Sequence, residues 1–177
     1  VYVKFSDKAG NWSQAYSDTI TLSTTAPVIV ITSPQDNAIV STLSITINYT
    51  VDAAAKSKTV SLPSEGANTI TLTETNPAGN TATKSITIQR DTTPATGTIK
   101  INNDAAYTNS ASVTLTLSAS DTLSGVDKMQ FSNDNTTFMA PEAYSTTKTW
   151  SLPSGDGVKT VYVKFSDKAG NWSQAYS

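Results

Sequence analysis

TVYVKFSDKAGNWSQAYS, residues 160–177, is the stretch whose reading decides the fold. Val161, Val163 and Phe165 alternate with Tyr162 and Lys164, the period of two of a strand with one buried face. The Ala169-Gly170-Asn171 that follows reads as a tight turn with Gly170 at positive φ. It is not a phosphate cradle, because no helical pattern comes after it. The chain then starts a return strand.

The same words occur at the other end. VYVKFSDKAGNWSQAYS occupies 1–17 and again 161–177, identical at every position, so the period is 160 residues. That is too long for one solenoid turn or propeller blade and fits one or two whole domains repeated in tandem. A weaker echo divides the period. T-N-P-A-G-N-T-A-T (75–83) is a cousin of the D-K-A-G-N-W-S turns, and A-Y-S-D-T-I-T-L-S-T-T-A-P (15–27) parallels K-S-I-T-I-Q-R-D-T-T-P (84–94). The punctuation at Pro27 and Pro94 follows from proline having no N–H to give a strand ladder. The expected pieces are 1–27, the closing strands of a preceding module; 28–94, a short module; and 95–177, a longer module lacking its last strand.

Every other periodic segment is also a strand. Ile45, Ile47 and Tyr49 alternate in 44–51, Ile70 and Leu72 in 68–75, Val113, Leu115 and Leu117 in 112–120, and Met129 and Phe131 in 128–132. Threonine fills many of the outward positions, where its branched Cβ favours extended backbone. Asp52–Lys58 reads as a loop. Strands recurring about every 8–12 residues between turn signals indicate β-sandwiches. The expected cores are Val161, Val163, Phe165, Trp150, Leu115, Leu117, Met129 and Phe131 in one, and Ile45, Ile47, Ile70, Leu72, Ile86 and Ile88 in the other.

Composition narrows the chemistry. The 177 residues are 37% hydrophobic and 15% charged, with a net charge of −2. That balance suits a Ser/Thr-rich surface module and gives no reason to expect nucleic acid as a partner. No apolar run is long enough to insert in a membrane. Cysteine and histidine are absent, which excludes disulfides, thiolate chemistry, imidazole bases and His-ligated metals. The chain opens at Val1 without an initiator methionine, so it reads as a mature or excised piece.

Residues 65–94, E-G-A-N-T-I-T-L-T-E-T-N-P-A-G-N-T-A-T-K-S-I-T-I-Q-R-D-T-T-P, resemble the closing half of one type of bacterial immunoglobulin-like repeat domain. Residues 108–177, continued by 18–27, resemble a second type. Together they cover essentially the whole chain. The resemblance implies an all-β protein of tandem immunoglobulin-like β-sandwiches joined by short Thr- and Pro-containing linkers. It also implies a place in a large surface or secreted protein: an extracellular fibre, stalk or adhesin, or an accessory part of a polysaccharide hydrolase. Fold alone does not choose among these.

The candidate chemistry is sparse. Asp91 lies in the second linker, Asp121 and Asp127 flank T-L-S-G-V, and Asp167 opens D-K-A-G-N. In an immunoglobulin-like sandwich those loops lie at the end nearest the preceding domain, so Asp91, Asp121 and Asp167 are expected to meet there and hold Ca²⁺, which takes about six to eight oxygens. The competing expectation is that they are turn residues bonding their own backbone. Glu142 and Asp156 are the carboxylates considered for glycoside hydrolysis, but nothing in the sequence sets them across a cleft, and no enzyme activity is expected. Trp12, Trp172, Trp150, Tyr107, Tyr144 and Tyr162 could stack on glycans; Trp150 belongs to a core, and Tyr162 is the expected exposed ring. Sequons at Asn11, Asn48, Asn135 and Asn171 are what an Asn/Thr-rich chain produces by chance. The expected role is a semi-rigid spacer or polymer building block, its partners neighbouring copies of the same repeat, with a cell-surface glycan or protein as the alternative.

Overall fold

The computed structural model describes all of residues 1–177 as strands, turns and irregular segments, with no helix. Fourteen strands form: β1 (Tyr2–Val3), β2 (Tyr16–Ser17), β3 (Ile29–Ser33), β4 (Ala38–Val40), β5 (Ser44–Val51), β6 (Ala54–Ser61), β7 (Gly66–Thr75), β8 (Thr81–Arg90), β9 (Thr96–Ile101), β10 (Ser112–Ser120), β11 (Val126–Ser132), β12 (Glu142–Ala143), β13 (Thr147–Ser151) and β14 (Tyr162–Asp167).

β3 to β8 make two three-stranded sheets, in the orders β3-β5-β6 and β4-β8-β7. β9 to β14 make two more, β13-β10-β9 and β12-β11-β14. Each pair of sheets encloses its own core. The first contains Ile29, Ile47, Tyr49, Leu62, Ile70, Leu72, Ile86 and Ile88, with Ile45 partly buried against them. The second contains Ala95, Val113, Leu115, Leu117, Met129, Phe131, Trp150, Val161, Val163 and Phe165. Burying each large apolar side chain contributes roughly 1.5–3 kcal/mol. The short unit has six strands despite its length.

The β7–β8 hairpin shows how the sequence builds the first unit. Its register runs without a slip from Gly66↔Arg90 to Thr75↔Thr81. Ile70 and Leu72 point inward and are buried. The outward positions pair hydroxyls across the strands, Thr71 with Ser85 and Thr75 with Thr81, each at 2.9 Å. Such cross-strand pairs fix register without any apolar contribution. A polar clip joins the two sheets: Tyr49 on β5 donates to Glu74 Oε1 on β7 at 2.7 Å, and Lys56 on β6 approaches Glu74 Oε2 at 2.6 Å. Glu74 is held below the usual carboxyl range by Lys56 first and Tyr49 second, against a smaller effect of burial.

Two expectations are corrected. Asp52–Lys58 is not a loop. Asp52 and Ala53 take φ of 48° and 68°, closing a tight hairpin, and Ala54–Ser61 pairs with β5 along its whole length. Positive φ at two successive residues matches the right-handed twist of the flanking strands, and the alanine run carries no apolar alternation that would have disclosed the strand. Tyr162 is half-buried rather than the outstanding exposed ring; Tyr107, in the turn-rich segment between β9 and β10, is 94% exposed instead.

The second unit differs from the first at one edge. In the first, β4 pairs in parallel with the end of β8, Ala38↔Ile88 to Val40↔Arg90. In the second, the segment 102–111 between β9 and β10 forms no strand. The return from β14 is limited to the isolated bridges Ser166↔Trp172 and Val163↔Tyr176.

A carboxylate cluster at the linker between two sandwiches

Asp91, Asp121 and Asp167 come together as expected: one carboxylate oxygen from each lies within 4.8 Å of the others. Three different elements deliver them. Asp91 follows β8, and its N–H donates to Val40 O at 2.9 Å. Asp121 follows β10 and heads the turn into β11. Asp167 ends β14. Asp127 does not join them; its carboxylate is 3.7 Å from Lys128.

Each carboxylate also organises backbone. Asp91 Oδ1 accepts from Thr93 N at 3.0 Å and Oδ2 from Ser124 N at 3.1 Å. Asp121 Oδ1 accepts from the N–H groups of Leu123, Ser124 and Gly125 at 3.1, 2.8 and 2.8 Å. Burial alone would raise the Asp121 pKa, but the N–H groups of Gly125, Ser124 and Leu123 together outweigh it and hold the carboxyl below its usual range. Asp167 accepts from Asn171 N at Oδ1 (2.9 Å) and Asn171 Nδ2 at Oδ2 (2.7 Å). The two readings of these residues are therefore compatible: they are turn residues, and they converge.

The electrostatics are one-sided. Asp91 and Asp167 are each 1% exposed. None of the chain's ion pairs includes any of the three. Like charges this close, shielded from water, repel unless a cation or a proton joins them. Carboxylates and loop carbonyls are the hard oxygen donors that Ca²⁺ takes; this donor set fits it.

The linker is held by a contact the sequence reading did not single out. Asn171 Nδ2, besides bonding Asp167, donates to the carbonyl of Asp91 at 2.8 Å. The preceding linker has the same device. Asn80 Nδ2 donates to Ser23 O at 2.9 Å, Asn80 N donates to Asn76 Oδ1 at 3.0 Å, and Asn76 Nδ2 donates to Thr25 O at 2.8 Å. The recurrent A-G-N motif was the available signal: its glycine, at φ 90° in both Gly79 and Gly170, turns the chain so that the asparagine faces the linker. The two linkers differ in charge. Ser23 and Asn76 stand where the second has Asp91 and Asp167.

The remaining candidates are spread out. Trp150 is buried, with Nε1 donating to Asn133 Oδ1 at 3.0 Å and its ring 5.3 Å from Phe131. Trp172 is half-buried beside β14, and Tyr144 donates its position to the core, its hydroxyl accepting from Ala119 N at 3.0 Å. Glu142 is engaged by Lys148 at 2.7 Å. Asn48 and Asn171 use their side-chain amides in hydrogen bonds. No helix of the chain is long and apolar enough to cross a membrane.

No protein-family model matches this chain, and no curated protein matches it. Among solved structures, the fibronectin(III)-like modules of Clostridium thermocellum CbhA are similar, with a TM-score of 0.44 and 16% sequence identity over 84% of this chain and 90% of that one.

Proposed function

We propose that this chain is a segment of an extracellular tandem-repeat protein whose immunoglobulin-like sandwiches work mechanically, as a semi-rigid spacer or polymer building block, and not as a catalyst. The observation that carries the reading is the double hold on the second linker. Asn171 Nδ2 takes the Asp91 carbonyl, while Ser124 N takes the Asp91 carboxylate. A linker bonded through both its backbone and its side chain to two loops of the following unit resists bending. Ca²⁺ bound by Asp91, Asp121 and Asp167 stiffens that joint further by neutralising the buried charges that otherwise push the loops apart.

With a rise of about 3.3 Å per residue, each unit is roughly 30–40 Å long and a two-unit period about 60–80 Å. Small-angle X-ray scattering of the whole chain is expected to give an elongated particle with a narrow distribution of inter-unit angles, narrower still with Ca²⁺. A broad distribution, unchanged by Ca²⁺, overturns the proposal.

A further inference from the structure

We propose that β7 is a pairing edge for the β7 of a second copy of this chain, the two strands meeting antiparallel about a two-fold axis at Thr71. Such pairing is independent of the spacer role and of the calcium joint.

β7 is bare where its counterpart in the second unit is covered. Aligned on the A-G-N turns, Ile70, Leu72 and Glu74 correspond to Val161, Val163 and Phe165. β14 has β11 beside it, with Phe131 opposite Val163 and Met129 opposite Phe165. β7 stands last in β4-β8-β7, with β8 on one side and no strand on the other. The first unit runs from β5 through the Asp52-Ala53 turn straight into β6, so it has no strand of its own to serve as β11 does. Alternate residues of β7 therefore turn their N–H and C=O groups away from β8 with no ladder partner. β8 already occupies the place of a return strand, so the bare side belongs to the fold of this unit.

The edge also lacks the devices that keep strands apart. β3 has a register shift between Ile31 and Ser33, β6 carries Lys56 and Lys58, β9 carries Lys100 and β13 carries Lys148. Shifts and lysines of this kind disfavour edge-to-edge pairing. β7 is ten residues long, contains no lysine, arginine or proline, and pairs with β8 without a slip. Its single charge, Glu74, is turned inward onto Tyr49 and Lys56.

The sequence of β7 names the partner, because it is complementary to itself in one register. With the axis at Thr71, Ile70 lies opposite Leu72 of the other copy, Thr69 opposite Thr73, and buried Asn68 opposite half-buried Glu74. An axis at Ile70 would set Asn68 against Leu72, and one at Leu72 would set Ile70 against Glu74. A slip of one residue would put inward side chains against outward ones. The outer face then continues the hydroxyl pairing that β7 already makes with β8, Thr71 with Ser85 and Thr75 with Thr81. The contact is the same patch on both copies, so it closes as a dimer. The two chains lie side by side and point in opposite directions.

Sedimentation of the full chain over a wide concentration range is expected to show a monomer–dimer equilibrium. T69K/T73K sets lysine against lysine twice in this register and is expected to weaken the dimer about tenfold or more. T69K/T73E sets lysine against glutamate twice and is expected to dimerise at least as well as the wild type. Both positions are exposed, so both variants are expected to keep the melting temperature of the dilute wild type. The chain has no cysteine, which makes a single introduced thiol a register probe. Oxidation is expected to crosslink T71C into a dimer but not T69C, whose two copies stand four residues apart along the strands, about 13 Å. A wild type that is monomeric at every concentration, equal dimerisation of the two charge variants, or crosslinking no better through T71C than through T69C overturns the pairing. The inter-unit angles are read separately on the dilute monomer, so failure of the pairing and failure of the spacer role are distinguishable.

Discussion

Phe5 and Phe165 hold the same place in two copies of one seventeen-residue hairpin, yet Phe5 is 62% exposed and Phe165 is fully buried. The local bonds are the same in both. The amide of each phenylalanine donates to a serine hydroxyl, Ser13 or Ser173, at 3.0 Å. Each aspartate, Asp7 or Asp167, receives the N–H of the asparagine four residues on at 2.9 Å. Both phenylalanines also keep the tyrosine of the return strand, Tyr16 at 6.1 Å and Tyr176 at 6.0 Å between ring centroids; what differs is the further company, since only Phe165 meets Tyr144, edge-on at 5.9 Å.

The pair makes a direct comparison of local and tertiary contributions. Phe165→Ala is expected to lower stability by about 3–5 kcal/mol, the range for emptying a buried aromatic site. Phe5→Ala should change it by no more than about 0.5 kcal/mol. Urea unfolding of the two variants checks this, and equal losses would contradict the burial assigned here.

Gly97 is expected to tolerate no side chain. A Cβ there would lie 2.5 Å from Phe165 Cε2 and 2.6 Å from Ser118 O. Phe165 is locked in the core and Ser118 O is backbone, so neither can yield cheaply. Gly97→Ala should cost about 1–3 kcal/mol, measured as a drop in the unfolding midpoint.

Calcium is expected to raise the melting temperature of the wild-type chain and not that of D91N/D121N/D167N. At Ca²⁺ about a hundredfold above its dissociation constant the gain should be about 2.7 kcal/mol. Calorimetric titration checks it: no heat and no thermal shift in the wild type removes the metal from the proposal.

Acid should weaken the first unit through Glu74. Its pKa is lowered in the folded state, chiefly by Lys56 and then by Tyr49. A lowered carboxyl pKa stabilises the folded state above the unfolded value, about 4.3, and that contribution disappears as pH falls through the folded value. The wild type is therefore expected to lose more stability than E74Q between roughly pH 5 and pH 2. Parallel acid-melting curves for the two proteins would count against the clip.

The joints can be separated from the folds. Asn171→Ala removes the donor to the Asp91 carbonyl and to Asp167 Oδ2, but no apolar contact of the core. It is expected to widen the distribution of inter-unit angles in scattering while lowering the melting temperature little. Asn80→Ala should do the same at the first linker, through Ser23.

Much of the fold was legible because its signals are local. Alternation in 112–120, 128–132 and 161–165, together with Trp150, named eight residues of the second core, all buried. Ala54–Ser61 was missed because Ala54, Ala55, Lys56, Ser57 and Lys58 are all exposed, so the strand has no inward face to read there. The carboxylate cluster was reached from sequence only through an assumed sandwich topology. The asparagine hold on the linkers was not, since Asn171 and Asp91 are 80 residues apart.

The sequence by itself determined the hairpin: period-two alternation, a glycine at positive φ, and serine and aspartate side chains that bond backbone within eight residues. These interactions close over short loops and form wherever the words occur, at 1–17 and at 161–177 alike. Only the tertiary structure decided which copy is core and which is bare. Burial depends on whether a facing sheet, such as the one in which β10 and β13 bring Leu115, Leu117 and Trp150 into the same core as Phe165, is present to exclude water.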